Sequence, residues 1–407
     1  MFFLPNFARI FLAKGEKVKY FEFFIEECGW LGAVLAALLL ILFGVQVYCY
    51  AVRYVRLSKY RNSQRSRRLE TETPPVSVIL PLFNESIDFI ERGLVRLLAQ
   101  DYDSYEVVVV YVGRDDDFYY ELSHLSESFP NLRTTKIPIR PKYPISPKMA
   151  VNIGIKAASN EHIILTTADA SPRTSRWLAL MAKGFARGEV VLGYCCTEQL
   201  DTIFGRLIRI DRMMQSAEWL SSAVEGRPYR GHRCNFGFTR TQYFEANGFG
   251  NLNMVVGEDD LFVQSIIRDD NVSIVLSPRA TVVERSTGGL VQWMKSRRFF
   301  GSTRRLYPFS VRCRIHLEPY SRLLFFVTAA AAFATMPMEY CAAVGFLLVL
   351  RYIIVGMSVS KLASRLGERH IAAVYPVYDL FGVLFEVATD LMLLRKDPSV
   401  WRYTSIS

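Results

Sequence analysis

The sequence predicts an α/β domain with a parallel, doubly wound sheet, joined to membrane-spanning helices. Three observations predict this class. From residue 74 onward, short apolar strands alternate with helical patterns, a rhythm typical of parallel sheets. Residues 30–52 form an apolar run without a charged residue, which is long enough to cross a hydrocarbon core of about 30 Å. Two more apolar stretches, residues 323–336 and 340–359, follow the strand-rich part.

Composition narrows the class of protein. Of the 407 residues, 51% are apolar, which is high for a wholly soluble chain. Lysine and arginine number 49 against 39 acids, an excess that suits nucleic acid, acidic lipid or a phosphorylated substrate. The basic clusters flank the apolar runs, so we expect a membrane partner and no nucleic acid. The seven cysteines show neither a disulfide framework nor zinc spacing, which indicates a reducing compartment.

The charges around residues 30–52 predict the orientation of this segment. Seven basic residues and no acid follow it closely, against four basic residues before it, so the following flank is predicted to be cytoplasmic. No small-residue cleavage site comes after the run, so we expect an uncleaved anchor. The seven basic residues are Arg53, Arg56, Lys59, Arg61, Arg65, Arg67 and Arg68.

These patterns divide the chain into seven expected segments. They are an amphipathic segment at 1–29, the anchor at 30–52, a basic linker at 53–73, a cytoplasmic α/β domain at 74–288, amphipathic interface helices at 289–320, two transmembrane helices at 321–360 and a membrane-associated segment at 361–407. For the last segment we favour a re-entrant or interfacial form over a fourth span, because Asp379, Glu386 and Asp390 would be costly at the bilayer centre.

The α/β part contains four clear apolar strands. We predict them at residues 76–81, 106–112, 162–166 and 190–195, with a helix at residues 87–99. No Gly-x-Gly-x-x-Gly follows any of these strands, so a bound nucleotide must be held without that phosphate loop.

Asp169 follows the predicted strand at 162–166 and is the first candidate site residue. A carboxylate at the carboxyl end of a buried strand faces the crevice where α/β sheets bind ligands, and it could hold a divalent cation against phosphate oxygens there. The alternative is structural, with Asp169 as the N-cap of a following helix. Taken alone, the stretch favours the N-cap.

Two later clusters carry charge. Residues 258–260, Glu-Asp-Asp, open a predicted helix, where the helix dipole stabilises acids. Three adjacent acids exceed what capping requires, so one could accept a proton from an attacking hydroxyl. In the predicted helix at residues 290–307, Arg297 and Arg304 share a face with aromatic residues. They could reach an anionic ligand or lie on acidic lipid, and both alternatives place the helix at the cytoplasmic surface.

Together these motifs resemble family 2 glycosyltransferases, the inverting enzymes of the GT-A fold, and the whole chain resembles their membrane-anchored bacterial members. The similarity covers roughly residues 75–307. It implies an α/β, GT-A (nucleotide-diphospho-sugar transferase) fold with a mixed, mostly parallel sheet, and transmembrane helices on the N- and C-terminal sides.

The beginning of the resemblance implies contacts with a nucleotide. Residues 76–85 are similar to the family's opening strand and Pro-x-x-Asn-Glu turn, which implies nucleotide contacts at Pro81, Phe83 and Glu85. Lys148 matches the lysine before the family's central helix and is implied to bind the nucleotide sugar.

The later motifs imply a metal ligand, a base and acceptor contacts. Residues 167–169, Thr-Ala-Asp, stand where the family has Asp-x-Asp, which implies that Ala168 and Asp169 contact the nucleotide sugar and that Asp169 holds a metal ion. Residues 258–259 match the Glu-Asp motif, whose aspartate, here Asp259, is the general base. The loop at 231–249 resembles the acceptor-side segment. The acceptor-binding residues implied in these motifs are Asn235, Phe236 and Glu258.

Two departures affect the nucleotide site. Thr167 replaces the first aspartate of Asp-x-Asp, so only Asp169 is carried over as a ligand. Residues 111–113, Tyr-Val-Gly, occupy the place of the Asp-Asp-Gly that reads the base, with Asp115 as a possible substitute.

A third departure affects the helix that follows. The family's Gln-x-x-Arg-Trp pattern is degenerate, with Gln292 far from the arginines and Phe299 in place of tryptophan. Arg297 and Arg298 are the candidates for binding the pyrophosphate.

The resemblance implies a membrane glycosyltransferase. It would transfer a sugar, with inversion, from a nucleoside diphosphate sugar to a hydroxyl of a lipid or lipid-linked acceptor. The expected donor is a UDP-sugar, and the expected cofactor is Mg²⁺ or Mn²⁺. It would be integral to the bacterial inner membrane, with its catalytic domain in the cytoplasm. The alternative is a catalytically inactive, membrane-tethered sugar-nucleotide sensor or scaffold, which the departures at residues 111–112 and 167 motivate.

Overall fold

The computed structural model describes residues 16–61, 73–83, 89–139, 145–250, 257, 259–268, 270–286 and 288–394. The chain forms two compact units. The first is drawn from Met1–Val52 and His316–Ser358, and the second from Arg53–Ile315 and Val359–Ser407.

The described part of the second unit contains ten strands, numbered in chain order. They are β1 (Val76–Leu82), β2 (Tyr105–Gly113), β3 (Leu132–Pro138), β4 (His162–Leu165), β5 (Ala170–Pro172), β6 (Val190–Gly193), β7 (Cys195–Thr197), β8 (Phe236–Thr239), β9 (Val272–Val275) and β10 (Val282–Glu284).

The helices are also numbered in chain order. Across the described residues they are α1 (Glu16–Val47), α2 (Val55–Lys59), α3 (Val95–Leu98), α4 (Asp116–Ser128), α5 (Pro147–Ala157), α6 (Trp177–Phe185), α7 (Ile203–Val224), α8 (Arg240–Glu245), α9 (Leu261–Ile266), α10 (Leu290–Gly301), α11 (Phe309–Thr335), α12 (Met338–Leu366) and α13 (Tyr375–Leu394). Shorter π-helical and 3₁₀ segments lie at Tyr48–Tyr54, Phe89–Leu94, Pro278–Ala280, Arg304–Leu306 and Arg369–Val374.

Seven of the strands form one mixed sheet, in the order β3-β2-β1-β4-β8-β6-β9. Neighbouring strands are parallel except at β8, which runs antiparallel to β4 and β6. Leu82 of β1 lies opposite Tyr111 of β2, and Ile79 lies opposite Leu165 of β4. The carboxyl ends of these three strands therefore share one edge. This sheet confirms the predicted fold class.

The predicted strand at residues 190–195 is wrong in one respect. It is two strands, because β6 belongs to the large sheet while β7 pairs with β10 in a three-stranded sheet of order β5-β10-β7. Apolar periodicity cannot detect such a change of sheet, because both short strands are buried on both faces. The other three predicted strands are present, with ends shifted by one residue at most.

The large sheet forms the core together with the helices packed on it. Residues 107–112 of β2 are buried throughout, as expected of a parallel strand covered on both faces. Helix α5 approaches β1 closely at Gly154, where a Cβ would lie 2.4 Å from Cγ2 of Ile79. Glycine is thus required there for the helix to pack at this distance.

Three helical stretches of the described chain are long and apolar enough to cross a membrane. They are Phe23–Lys59, Met338–Leu366 and Arg369–Leu393. Of the two spans expected within residues 321–360, one lies in α12. The other falls in α11, whose first half carries Arg312, Arg314, Glu318 and Arg322.

The first unit buries a charged residue within its helices. Arg351 of α12 is 1% exposed, and its Nη2 donates to Oε1 of Gln46 at 2.8 Å. The amide nitrogen of Gln46 donates to Oγ of Ser321 at 2.8 Å, and the Tyr50 hydroxyl donates to Glu318 at 2.6 Å. The arginine that interrupts this apolar stretch is therefore held by polar groups of the same unit.

Candidate active site

Asp169 lies in the turn between β4 and β5. Its side chain is 53% exposed, and its backbone carbonyl accepts from the Arg285 amide at 2.7 Å. The next element is a strand, and α6 begins only at Trp177. The N-cap alternative for Asp169 is therefore wrong, and the carboxylate is left at the sheet edge.

Arg233 lies between Asp169 and a second acid. Its Nη2 is 3.8 Å from a carboxylate oxygen of Asp169 and 3.6 Å from one of Glu284, the last residue of β10. The Arg233 side chain is 24% exposed. Arg233 is therefore a partly exposed cation beside β5 and β10.

Glu284 is held from its other side as well. Nη2 of Arg212, in the middle of α7, donates to it at 2.7 Å, and Nη1 of Arg212 lies 3.2 Å from Nε2 of His232. Thr167 contacts the Cys234 thiol at 3.1 Å. Thr167, which replaces the first aspartate of Asp-x-Asp, therefore makes a hydrogen bond inside the domain.

Asp259 lies against the same segment as Asp169. The Gly231 amide donates to the Asp259 carbonyl at 2.7 Å. Nη2 of Arg230 donates to the Asp259 carboxylate at 3.1 Å, and its Nη1 donates to the Phe300 carbonyl at 3.1 Å. Asp259 itself is 3% exposed. Its carboxylate is therefore paired and held inward.

The two candidate acids converge on one short segment, residues 230–233. Arg230 pairs with Asp259, and Arg233, three residues later, lies beside Asp169. The acids are ninety residues apart in the sequence. Both acids therefore contact one four-residue segment.

Asp260 has the capping role expected for at least one of the three adjacent acids. It is the N-cap of α9, where its carboxylate accepts from the Leu261 amide at 2.6 Å. The hydroxyls of Thr303 and Tyr307 also donate to it. Burial and then the charge of Asp259 raise the pKa of Asp260, against the opposing effect of Arg230 and these hydroxyls.

Three side chains that can ligate metals lie nearby, at Cys195, His232 and Cys234, with their ligating atoms within 4.8 Å of one another. Burial and then three arginines hold the pKa of His232 well below its usual range, so the imidazole is neutral. Its Nδ1 lies 3.3 Å from the Cys234 amide and its Nε2 contacts Arg212. Three guanidinium groups around the cluster oppose binding of a cation there.

Helix α10 presents different residues to the site and to the interior. Phe299 lies under Arg233, with the guanidinium carbon 4.9 Å from the ring centroid. Phe300 is stacked by Arg212 at 4.2 Å and by Arg230 at 4.5 Å. The aromatic pair thus supports the cations of the site.

Arg297 points into the domain. Its Nε donates to Asp211 at 3.0 Å, and the rest of its guanidinium pairs with Asp211 and Glu386 of α13. Burial would lower the pKa of Arg297, but Asp211 and Glu386 outweigh it and raise the pKa. At 3% exposure, the group does not face solvent. Arg298 beside it is half-buried.

Other predicted nucleotide contacts lie at or near the carboxyl ends of the strands. Pro81 is in β1 and Phe83 follows it, both half-buried. Asp115 follows β2 and caps α4, where its carboxylate accepts from the Phe118 amide at 2.9 Å. Lys148 is buried in the first turn of α5, at 5% exposure, and Ala168 packs against the core.

Two predicted site residues, Glu85 and Glu258, lie outside the described residues.

The predicted acceptor residues Asn235 and Phe236 are fully buried. Asn235 accepts from the Trp177 indole at 2.9 Å and donates to the carbonyls of Tyr194 and Ala280 at 2.8 and 2.9 Å. Neither side chain is open to a ligand in this structure.

The sequence motifs did not point to Arg212, Arg230 or Glu284. Glu284 follows Val282 and Val283, so it carries the same signal as Asp169, an acid at the end of a short apolar strand. The two arginines have no local signal, because a long helix and a loop both commonly carry such residues.

Comparisons with known proteins bear on the family and the fold. Residues 77–209 match the family model described as Glycosyl transferase family 2. A mannosyltransferase from Pyrobaculum calidifontis, PcManGT, solved in complex with GDP-Man and Mn²⁺, is 19% identical, covers 86% of this chain and 99% of its own, and has a TM-score of 0.51. No curated protein matches the chain in sequence.

A second solved structure, TarS residues 1–349 from S. aureus in complex with UDP-GlcNAc, is 14% identical, covers 74% of this chain and 91% of its own, and has a TM-score of 0.38, too low to bear on the fold. The family match over residues 77–209, the mixed sheet and the Pyrobaculum neighbour agree with one another. Residues 77–209 of the α/β domain match glycosyl transferase family 2, and the domain has the GT-A fold of a glycosyltransferase.

Proposed function

We propose that this glycosyltransferase transfers a sugar, with inversion, from a nucleoside diphosphate sugar to a hydroxyl of a lipid or lipid-linked acceptor at a membrane. The observation that carries the proposal is the convergence of Asp169 and Asp259 on residues 230–233. Transfer needs one group for the leaving diphosphate and another for the attacking hydroxyl, close together on one side of the sheet.

Asp259 is the proposed base; it is buried and its carboxylate pairs with Arg230, so the acceptor hydroxyl must reach it beside that ion pair. It takes the proton from the acceptor hydroxyl while that oxygen attacks the anomeric carbon from the side opposite the diphosphate. The bond between the anomeric carbon and the phosphate oxygen breaks, and the electron pair leaves with the nucleoside diphosphate. The Gly231 amide holds the backbone carbonyl of Asp259, and Arg230 holds its carboxylate.

The residues present fit a divalent cation brought in with the donor. Mg²⁺ typically binds one or two carboxylates plus substrate phosphates and waters, and Asp169 is a half-exposed carboxylate at the sheet edge. Asp169 would hold the ion, which would neutralise charge on the phosphates when bound. The Pyrobaculum neighbour, solved with GDP-Man and Mn²⁺, supports both the donor class and the ion.

Arg233 is the proposed diphosphate-binding cation. It is partly exposed beside Asp169 and rests on Phe299. Guanidinium groups bind phosphate oxygens in a bidentate manner, and charge develops on the leaving phosphate as transfer proceeds. Arg297, which the motif suggested for this task, would first have to leave Asp211 and Glu386.

A lipid or lipid-linked acceptor is proposed from the membrane segments. Three described helices are apolar enough to span a bilayer. Glu386 and Asp390 of α13 pair with Arg304 of the 3₁₀ turn after α10. These ion pairs attach one face of α13 to the segment beside the site, and the other face of α13 is apolar. Val377, Leu380 and Leu384 are exposed on that helix. The basic flank after residues 30–52 supports a cytoplasmic catalytic domain.

The experiment that tests the proposal measures release of nucleoside diphosphate. The full chain is purified in detergent and offered a panel of nucleoside diphosphate sugars with a membrane lipid extract and Mg²⁺ or Mn²⁺. We expect release with at least one donor, and a loss of about 10²- to 10⁴-fold in kcat for Asp259→Asn with donor binding retained.

The matched control is Asp103→Asn, an exposed acid before β2, at the other edge of the sheet. It should keep wild-type turnover. Donor binding without release in every combination would support the sensor or scaffold, and release that survives Asp259→Asn would overturn the assignment of the base.

A further inference from the structure

A basic groove lies between α2 and the last turns of α12. We define it by its six lining residues, Ser58, Lys59, Ser360, Lys361, Ser364 and Arg365. Its volume is about 450 Å³. Each residue carries a cation or a hydroxyl, so the lining can donate hydrogen bonds from several directions to an acceptor of negative charge.

The spacing along α12 places these groups in two adjacent rows. Ser360 and Ser364 are four residues apart, as are Lys361 and Arg365, so each pair lies on one side of the helix, one turn above the other. Lys59 at the end of α2 supplies the opposite wall. A cation thus stands on both walls, with hydroxyls between them.

Two of the three cations have no carboxylate partner among the described residues. Lys59 and Lys361 are exposed and form no ion pair within that part of the chain. Nη2 of Arg365 donates to the Tyr60 carbonyl at 3.0 Å, a contact that fixes the guanidinium without neutralising it. The segments 53–61 and 357–366 contain no acid at all.

Attraction of cations to helix carboxyl ends accounts for part of this pattern. Lysine and arginine are stabilised in the last turn of a helix by its dipole. That effect places one cation at each helix end. It does not explain three cations and three serines facing a single groove, which is a lining suited to an anion with several oxygens.

The position of the groove indicates where the anion comes from. Lys59 is the last residue of the candidate span Phe23–Lys59, and Arg365 is the next to last of Met338–Leu366. Residues at the end of a membrane-spanning helix lie at the level of lipid headgroups. The headgroup of a membrane lipid would therefore lie at the same level as the groove.

We propose that this groove binds the phosphodiester headgroup of an anionic phospholipid. Lys59 and Lys361 approach the phosphate from the two walls, Arg365 contacts it from the second turn, and Ser360 and Ser364 donate to its remaining oxygens. The site is separate from Asp169 and Asp259, and binding there anchors α2 and α12 against the membrane surface.

The test is native mass spectrometry of the full chain in detergent, titrated with phosphatidylglycerol, phosphatidylcholine, oleate or inorganic phosphate. We expect phosphatidylglycerol to bind more tightly than phosphatidylcholine. Each exposed lysine near anionic lipid contributes about fivefold in affinity, so Lys59→Gln with Lys361→Gln should weaken phosphatidylglycerol binding by roughly 25-fold. Nucleoside diphosphate release in detergent should not change.

Two further variants separate specific binding from general effects. Lys156→Gln with Lys183→Gln removes the same charge from α5 and α6 and should leave lipid binding unchanged. Ser360→Ala with Ser364→Ala keeps the charge and should still weaken binding severalfold, which tests the groove even if the lysine variant fails to fold.

Each remaining outcome would overturn the proposal. Equal binding of phosphatidylglycerol and phosphatidylcholine, or equal losses in the two lysine variants, would mean that the groove has no role. Oleate binding as tightly as phosphatidylglycerol would mean that the groove recognises negative charge alone and not a phosphate group. Displacement of the lipid by inorganic phosphate at a similar concentration would reassign the groove to a soluble anion.

Discussion

The backbone amide of Gly231 donates to the carbonyl of Asp259 at 2.7 Å. This bond ties the loop after α7 to the segment before α9, and Arg230 lies 3.1 Å from the Asp259 carboxylate. Three residues after Arg230, Arg233 lies beside Asp169. One backbone hydrogen bond therefore helps to position both acids of the proposed reaction.

Arg233→Gln tests the diphosphate-binding role. Charge-assisted hydrogen bonds contribute about 1.5–3 kcal/mol, so we expect kcat/KM for the donor to fall by roughly 10- to 150-fold, mainly through KM. The concentration of Mg²⁺ or Mn²⁺ that gives half-maximal activity should fall, because Asp169 loses a competing cation. Arg176→Gln, at an exposed arginine before α6, is the control. An unchanged KM for the donor would contradict the assignment.

Arg297→Gln distinguishes an internal ion pair from a substrate contact. Removing the guanidinium leaves Asp211 and Glu386 without their shared cation, and loss of one partner of a buried ion pair costs about 3–5 kcal/mol. We expect a marked drop in the thermal unfolding midpoint in detergent, whereas Lys295→Gln, at an exposed position on the same helix, should change little. A variant of normal stability but raised donor KM would instead favour the pyrophosphate role.

Asn235→Ala asks whether this residue serves the acceptor or the core. The alanine would leave the Trp177 indole and two backbone carbonyls without their partner, at a cost of about 2–4 kcal/mol for several buried groups. We expect lower stability with an unchanged KM for the acceptor. Asn160→Ala, at a half-buried asparagine before β4, is the matched control. A raised acceptor KM at normal stability would support the acceptor role.

Glu218→Gln tests a titration inside α7. Burial raises the pKa of Glu218 to about 7 from 4.5, against the opposing effect of Arg53, Arg304 and Arg314, while Glu225 adds to the rise. Because the folded state holds this proton more tightly than the unfolded state, the stabilisation is complete below pH 4.5 and is lost as the pH rises toward and through 7.

The expected difference follows from this sign. Between pH 4.5 and 7, wild-type stability should fall relative to Glu218→Gln by ~3 kcal/mol, as followed by unfolding in detergent at several pH values. Glu121→Gln, at an exposed glutamate of α4, should reproduce the wild-type dependence. A difference that stays constant across this range would contradict a raised pKa.

Gln46→Leu tests the polar contacts in the first unit. The leucine would remove the acceptor of Arg351 and the donor to Ser321, and unsatisfied buried groups cost about 1–3 kcal/mol each. We expect a lower unfolding midpoint. Leu40→Ala, at a leucine that is 59% exposed, should have a smaller effect, and the opposite ranking would show that these polar contacts do not stabilise the unit.

The local sequence pattern was sufficient to predict the strands that build the site. The β-branched run of β2 and the apolar residues of β1 and β4 carry a signal that depends only on near neighbours. For the same reason Asp169 could be placed at the end of β4 from the sequence, and the apolar helices could be recognised by their length. The family motifs then led to Asp259.

The tertiary structure alone decided which charges pair. From the sequence, Arg297 and Arg233 are equivalent cations near aromatic residues, yet one is buried against Asp211 and Glu386 while the other is partly exposed beside Asp169. Likewise Asn235, in a glycine-bounded loop, became part of the core. The partners of these residues lie tens of residues away in the chain, and a periodicity of two or 3.6 residues carries no information over such a separation. Only the packing of α7, α10 and α13 around the sheet edge determines which charged and polar side chains contact one another.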